Sequence, residues 1–350
     1  MDLVLEGLDA YVFDRLYATL LPAQNLNITS QLASENVSAT ASCLDNYDFM
    51  PASKYLSFPP SEYACMSTLP RENVWRQLIS LYIITWLFGT VIYFLCATLS
   101  YIFVFDKTTF AHPKFLKNQV RQEIAQAVRA IPVIAVLTTP IFALEVRGHG
   151  KLYDASADGP GRWYDAAQFP LFIAFTDACI YWIHRALHHP AIYRRYHKPH
   201  HRWIMPSPFA SVAFHPLDGF AQSLPYHVFP FVFPLQKAAY VLLFAFVQVW
   251  TVVIHDGEYV AENPVVNGAA CHTMHHLYFN YNYGQFTTLW DRVGGSYRRP
   301  DDALFRKELK MSAAEWKRQS KRMERIVKEV EGDDERAYAA ADDGSEKKAQ

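Results

Sequence analysis

Histidines are concentrated in three short segments of this chain. Six of the fourteen lie between residues 184 and 201, in "HRALHH" and "HKPHH", and three more lie in "HTMHH". These residues are His184, His188, His189, His197, His200, His201, His272, His275 and His276. Neutral imidazole is a good ligand for iron, zinc, copper and nickel, whereas nine cationic imidazoles packed together would repel one another. The clusters therefore predict a metal site.

The spacing within the clusters predicts how the imidazoles are presented. The second and third clusters share the spacing i, i+3, i+4, which on a helix places three side chains on one face. In the first cluster His184 and His188 are four residues apart, and Pro190 follows His189 directly. Since one zinc ion takes about four ligands, nine imidazoles predict two ions with about four or five ligands each. Oxygen chemistry at such a site favours iron, because zinc cannot change its oxidation state.

Apolar segments lead into and out of these clusters. The 29 residues from Gln77 to Phe105 contain no Asp, Glu, Lys or Arg, and about 20 such residues suffice to cross a bilayer as a helix. Further apolar segments lie at about 130–144 and 166–183. The segment 219–254 has prolines near its middle, which predicts a helical hairpin that enters and leaves the bilayer. We therefore expect an all-α, multi-pass membrane bundle with a cytosolic, histidine-rich, metal-binding cap.

Three regions are expected along the chain. Residues 1–75 are polar and loop-rich, residues 76–310 form the membrane domain with the metal site, and residues 311–350 form a charged helix and tail. Lys and Arg are enriched in the connector 106–129 and in the histidine-rich segment 184–202, and the positive-inside rule places both in the cytosol. Residues 1–75 are then lumenal.

A lumenal N-terminal region would allow covalent modification. The sequons at Asn27 and Asn36 could then carry glycans, and Cys43 could pair with Cys65. The C-terminal "KKAQ" is similar to a dilysine signal that returns membrane proteins to the endoplasmic reticulum. The formal net charge of −1 indicates no nucleic-acid partner, and the five cysteines form no CxxC motif of a zinc finger or redox site.

The histidine motifs resemble those of the membrane-bound fatty acid hydroxylase and sterol desaturase superfamily. Three further stretches narrow the resemblance to its sterol C-5 desaturase branch, and together the motifs cover roughly residues 70–300. These stretches are "FHPLDGFAQSLPYHVFPFVFPLQK" from Phe214, "IHDGEY" from Ile254 and "YNYGQFTTLWDRVGGSY" from Tyr281. The histidine pattern by itself is specific only to the superfamily.

The resemblance implies a non-haem di-iron oxidase of the endoplasmic reticulum membrane, with its active site facing the cytosol. Such an enzyme removes two hydrogens across C5–C6 of a Δ7 sterol and reduces O2 to water. Its electrons come from NADH or NADPH by way of cytochrome b5 and its reductase. A sterol C-4 methyl oxidase or a lipid hydroxylase would use the same ligands. A metal transporter or metal-storage membrane protein is a third hypothesis. A transporter should place its ligands within spans near mid-bilayer, whereas here the histidines cluster at segment ends, which argues against it.

The resemblance also ranks the candidate residues. Six positions match the family motifs residue by residue: His197, His200, His201, His272, His275 and His276. In the first cluster His184 matches, and His189 is preferred to His188 because related hydroxylases space this pair five apart. His255 is a further candidate ligand. His215 and His227 are candidates as ligands or as groups that orient ligands, and Asp218 and Asp256 are candidates as acceptors that orient imidazoles. His112 and His149 are expected at the surface.

Overall fold

The computed structural model describes residues 1–23, 47 and 49–331. Its α-helices, in chain order, are α1 (Asp2–Leu8), α2 (Asp14–Leu20), α3 (Val74–Phe103), α4 (Gln119–Val146), α5 (Arg162–Leu187), α6 (Pro190–Tyr196), α7 (Lys198–His201), α8 (Pro216–Val232), α9 (Lys237–Val253), α10 (Ala269–Tyr278), α11 (Leu289–Val293), α12 (Lys307–Lys310) and α13 (Ala313–Glu331). Two strands of two residues, β1 (Leu152–Tyr153) and β2 (Leu235–Gln236), pair in parallel, with Leu152 opposite Leu235. The predicted all-α class is confirmed.

Three helices, α3, α4 and α5, are long and apolar enough to cross a membrane. The second is nearly twice as long as the predicted segment 130–144, because residues 119–129, expected to form a basic connector, continue the same helix. The third runs past His184 to Leu187, so the first histidine cluster begins in the last turn of an apolar helix. Two helices, α8 and α9, occupy the segment predicted to form the hairpin and are joined at residues 233–236.

The chain divides into two compact units. Unit one comprises Met1–Phe88, Ala135–Asp165 and Pro230–Ala238, and unit two comprises Gly89–Ile134, Ala166–Phe229 and the described residues from Ala239 onward. Both units draw on segments that are distant in sequence. Neither unit is therefore one continuous stretch of the chain.

Unit one contains an apolar core to which the N-terminal region contributes, although that region is polar in composition. Residues 2–20, expected to belong to a loop-rich region, are helical and bury Leu5, Phe13 and Tyr17 with Leu81 and Phe142. Their apolar side chains recur on one helical face, and this periodicity explains why residues 2–20 form helices rather than loops.

Beside this core lies a buried ion cluster. The Asp14 carboxylate accepts hydrogen bonds at 2.6 Å from both Arg71 Nη2 and Arg76 Nη2, and Asp9 accepts a second bond from Arg76 at 2.8 Å. Removing one partner of a buried ion pair costs about 3–5 kcal/mol, so the cluster ties α1 and α2 to the start of α3. Cys65 is disulfide-bonded. Its expected partner Cys43, both sequons and the dilysine tail lie outside the described residues.

In unit two, α10 contributes several residues to a buried apolar core. Met274, Leu277 and Tyr278 of α10 pack against Met323 of α13, which occupies the position of the predicted charged helix. His112, expected at the surface, is instead only 2% exposed. Its ring packs against Trp316 of α13, and its Nδ1 accepts a hydrogen bond from the Lys114 amide. Its surface assignment was therefore wrong, because the sequence does not reveal that α13 covers this residue.

Candidate metal centre

Nine imidazoles lie in two groups in unit two. Group one contains five histidines and group two contains four, and within each group the candidate ligand nitrogens all lie within 4.8 Å of one another. Group one is His184, His188, His197, His201 and His275; group two is His200, His255, His272 and His276. Every member except the half-buried His188 is buried. The arrangement therefore provides two adjacent all-nitrogen sites.

Short helices distribute the motifs between the two groups. On α10, His272 and His276 belong to group two, whereas His275 belongs to group one. The motif on α7 divides in the same way, since His200 enters group two and His201 enters group one. The i, i+3, i+4 spacing therefore presents the imidazoles on one side of each helix but splits them between two neighbouring sites.

The positions of the imidazole hydrogens in group one favour a bound cation. His184 Nδ1 donates to the carbonyl oxygen of Tyr283 at 3.0 Å, and His197 Nδ1 donates to Asp218 Oδ2 at 2.7 Å. Because these oxygens only accept, each ring carries its hydrogen on Nδ1 and a lone pair on Nε2. The two Nε2 atoms nevertheless lie 3.1 Å apart. Two lone pairs at that distance repel each other unless a positive ion lies between them.

Group two repeats this arrangement. His255 Nδ1 donates to the carbonyl oxygen of Thr251 at 2.7 Å, and its Nε2 lies 3.0 Å from His272 Nε2. His276 Nε2 lies 3.1 Å from the same His272 nitrogen. Two ligands at right angles on an ion with metal–nitrogen bonds of about 2.1 Å are separated by about 3 Å. The observed separations therefore fit metal binding.

His275 supplies a further test of the fit. Its Nδ1 donates to the carbonyl oxygen of Tyr281 at 2.8 Å, while its Nε2 is buried without a hydrogen-bond partner in the described chain. A buried nitrogen lone pair without a partner costs about 1–3 kcal/mol. This nitrogen belongs to group one, where a metal ion would satisfy it. The residues present in both groups therefore fit a bound transition metal.

Burial prepares the imidazoles to act as ligands. It lowers the pKa of His200, His201, His272, His275 and His276 well below the ordinary value, and repulsion between neighbouring imidazoles adds to the effect. Burial lowers the pKa of His255 to about 4. These rings are therefore neutral at neutral pH, which is the form that binds metals.

Several candidates from the sequence lie outside both groups. His189 precedes α6, where its Nδ1 accepts from the Ala191 amide at 3.4 Å, so the geometry reverses the preference for His189 over His188. His215 similarly accepts from the Leu217 amide at the start of α8. His227 lies within α8, and Asp256 accepts from the Glu258 amide. Of the two aspartates, only Asp218 accepts a hydrogen bond from an imidazole of the groups.

Two buried aspartates that the sequence analysis did not select hold the segment 281–288. Asp177 Oδ1 accepts from the amides of Phe286 at 2.7 Å and Gln285 at 3.1 Å. Asp291 accepts from the amides of Tyr283 and Gly284, each at 2.8 Å. The carbonyl oxygens of Tyr281 and Tyr283 in this segment are the ones that orient His275 and His184. One available signal was that Asp177 is the single acid in the third apolar segment.

A polar stripe on α4 was also missed. It consists of Gln119, Gln122, Glu123 and Gln126, which lie on one helical face at i, i+3, i+4 and i+7. Gln119 Nε2 donates to the carbonyl oxygen of Met205 at 2.8 Å, and Glu123 accepts from the Ser207 amide at 3.2 Å. Gln126 donates at 2.9 Å to the carbonyl oxygen of Ala213, which also accepts from His200 Nδ1 at 3.4 Å. The stripe thus anchors the loop that orients a member of group two.

Comparison with known proteins places these features in a family. The fatty acid hydroxylase profile matches residues 169–296, which include all three histidine motifs. A Delta(7)-sterol 5(6)-desaturase of Aspergillus fumigatus is 59% identical over 347 residues, covering 98% of this chain and 99% of the relative. Proteins with the same description in Leptosphaeria maculans and Saccharomyces cerevisiae are 58% and 48% identical, over 97% and 95% of this chain and 97% and 96% of theirs. No solved structure matches the chain.

The spans and paired histidine groups define a helical, metal-binding membrane protein of the fatty acid hydroxylase type. Within that class, the chain belongs to the Delta(7)-sterol 5(6)-desaturase family. The sequence resemblance to the sterol C-5 desaturase branch is thereby confirmed.

Proposed function

We propose that this chain is a sterol C-5 desaturase that introduces the C5–C6 double bond into a Δ7 sterol. The observation that carries the proposal is the convergence of Nε2 lone pairs in two buried groups, in a chain similar over nearly its full length to Delta(7)-sterol 5(6)-desaturases. The metals are two iron ions, one in each group. Bound iron supplies the oxygen activation needed to cleave an unactivated C–H bond, which no side chain provides.

The electron balance of this reaction requires an external donor. Reducing O2 to two waters takes four electrons and four protons. Removing two hydrogens from the sterol supplies two of each. The other two electrons come from NADH or NADPH by way of cytochrome b5 and its reductase, and the remaining two protons come from solvent.

The chain's own residues hold and orient the ligands. Carbonyl oxygens of Tyr283, Tyr281 and Thr251 accept the Nδ1 hydrogens of His184, His275 and His255, and this keeps the Nε2 lone pairs directed into the groups. The Asp218 carboxylate does the same for His197 and also raises the basicity of that ring. Burial of eight of the nine imidazoles excludes water from the ligand nitrogens.

The proposed location is the membrane of the endoplasmic reticulum, with the histidine groups facing the cytosol. Three helices able to span a membrane support this location, as does the basic composition of the segment that contains His184 to Arg202. A sterol dissolved in the bilayer would reach the site from the membrane. Cytochrome b5 would approach from the cytosol.

Sterol profiling of cells that lack this gene tests substrate and reaction together. We expect Δ7 sterols to accumulate and 5,7-dienes to disappear. Wild-type protein and His149→Ala should restore the dienes, since His149 is exposed and belongs to neither group. His275→Ala should insert into membranes normally but fail to restore them.

Other results would contradict the proposal. Accumulated 4-methyl sterols would indicate a sterol C-4 methyl oxidase, and unhydroxylated lipids would indicate a lipid hydroxylase. Metal analysis of anaerobically purified protein should find close to two irons per chain. An active form that is stable without iron would refute the metal chemistry.

A further inference from the structure

A cavity of about 440 Å³ lies beside α4 in unit two. One wall is formed by α4 residues 122–130. The other walls come from the segments 199–203 and 214–216, which lie on either side of the loop held by the polar stripe. The cavity therefore lies outside both histidine groups, next to residues that support group two.

The charge of the cavity wall has one sign. Arg129 and Arg202 line it, and no carboxylate is among the lining residues. Arg129 is exposed and makes no hydrogen bond or ion pair with any described part of the chain. Arg202 donates to Gln122 Oε1 at 2.9 Å, but its Nε is buried without a partner among the described residues. The Arg129 guanidinium and the Arg202 Nε–H therefore favour an anionic ligand.

The position of the cavity along α4 indicates an amphiphilic ligand. Arg129 is the last charged residue before fifteen uncharged residues, 130–144, of this candidate span. The cavity therefore lies where a membrane helix passes from the headgroup layer into the hydrocarbon core. Ala125, Ala130 and Phe214 contribute apolar wall at this level. Basic pockets beside membrane helices are sites at which anionic lipid headgroups bind.

The cavity is connected to the metal centre by short contacts. The ring of Phe214 packs on the ring of His200 with centroids 4.2 Å apart. Gln126 and His200 both donate to the carbonyl oxygen of Ala213. A ligand packed against Phe214 and Gln126 would therefore stabilise the surroundings of a group-two imidazole.

We propose that this cavity binds the phosphate headgroup of an anionic phospholipid. The phosphate lies between Arg129 and Arg202, and the acyl chains follow the apolar surface of α4. The lipid binds the folded protein only, so its binding also raises the stability of the fold. The test of this site measures lipid binding and does not depend on catalysis.

Lipid titration of the purified full chain tests the proposal. The protein in phosphatidylcholine nanodiscs would be titrated with phosphatidic acid, and bound lipid would be counted by native mass spectrometry. A basic residue near a membrane surface contributes about 1 kcal/mol, so Arg129→Gln should weaken binding about fivefold. Ala125→Phe keeps all charges but fills the cavity, and it should abolish specific binding.

Arg121→Gln is the matched control, because Arg121 is also an exposed arginine of α4 but does not line the cavity. It should bind phosphatidic acid as the wild type does. Thermal unfolding of each variant without added lipid shows whether the fold is intact. Equal loss in Arg121→Gln and Arg129→Gln, or full binding by Ala125→Phe, would overturn the site. Displacement of the lipid by inorganic phosphate would show that a free anion is the ligand.

Discussion

Asp177 and His184 lie two turns apart on one face of α5 and hold the same segment of chain. His184 Nδ1 donates to the Tyr283 carbonyl oxygen at 3.0 Å, and Asp177 Oδ1 accepts from the Phe286 amide at 2.7 Å. The seven-residue separation brings both side chains to that segment. The orientation of a candidate ligand is thus supported by a carboxylate on its own helix.

Removing this carboxylate should loosen the metal of group one. In Asp177→Ala the amides of 285–287 lose their buried acceptor, and residues behind a ligand typically change metal affinity by about 10- to 100-fold. We expect a loss near the lower end, about tenfold, because Asp177 acts through the Tyr283 carbonyl. Asp177→Asn retains an acceptor oxygen and should lose less. Competition with a chelator measures the affinity, and equal affinities in all three proteins would contradict the role.

The choice between the two neighbouring histidines can be tested directly. His188→Ala should lose the metal of group one, because His188 is one of its five imidazoles. His189→Ala should retain both metals and lose about 1 kcal/mol of stability or less, since His189 only accepts one amide hydrogen bond before α6. Metal content per chain distinguishes the variants. Loss of metal in His189→Ala alone would restore the sequence-based preference.

Acid should destabilise the metal-free protein. The pKa of His255 is lowered to about 4, against about 6.5 in the unfolded chain, so the unfolded state binds more protons between these values. Stability therefore falls as the pH is lowered from about 6.5 towards 4. Five further imidazoles, those of His200, His201, His272, His275 and His276, act in the same direction.

Three buried carboxyls oppose this effect, because burial raises the pKa of Asp9 and Asp291 as well as that of Asp256. Burial raises the pKa of Asp256 to about 7, so its contribution to stability grows as the pH is lowered below 7. The six imidazoles outnumber these three carboxyls. The melting temperature of metal-free protein should therefore drop between pH 7.5 and 5.5. A constant or rising melting temperature would show that the imidazoles are not buried without metal.

The packing of α13 on α10 should support the metal centre. Met323→Ala leaves a cavity against Met274 and Leu277, and such a substitution costs about 2–5 kcal/mol of unfolding free energy. Lys321→Ala, at an exposed position on the same helix, should stay within about 0.5 kcal/mol. Chemical denaturation measures both. Equal stability of the two variants would mean that α13 does not hold α10 in place.

The sequence predicted the positions of the helices better than it predicted which other segments each helix contacts. Apolar runs located α3 and α5, and the spacing of "HTMHH" located a helix at α10. The spacing alone could not assign His275 and His276 to different groups, because that division depends on where the partner helices lie. Nor could it show that His189, in extended backbone after the end of α5, accepts from the Ala191 amide instead of joining a group.

Long-range partners explain what the sequence analysis missed. Asp177 meets amides more than one hundred residues later, and Glu123 meets Ser207 84 residues later. A buried carboxylate or glutamine has no local pattern that identifies such a partner. The helical face shared by Gln119, Gln122, Glu123 and Gln126 was visible, but the loop that it holds was not.

The polar stripe of α4 also has a consequence for biosynthesis. Its partners at Ser207 and Ala213 leave the ribosome 84 and 87 residues after Glu123 and Gln126. At translation rates of about 5–20 residues per second, synthesis of these partners follows that of the stripe by roughly 4–17 s. During that interval the nascent helix needs a temporary polar neighbour, such as water or the insertion machinery. Completion of the loop then gives Glu123 and Gln126 their partners within the chain.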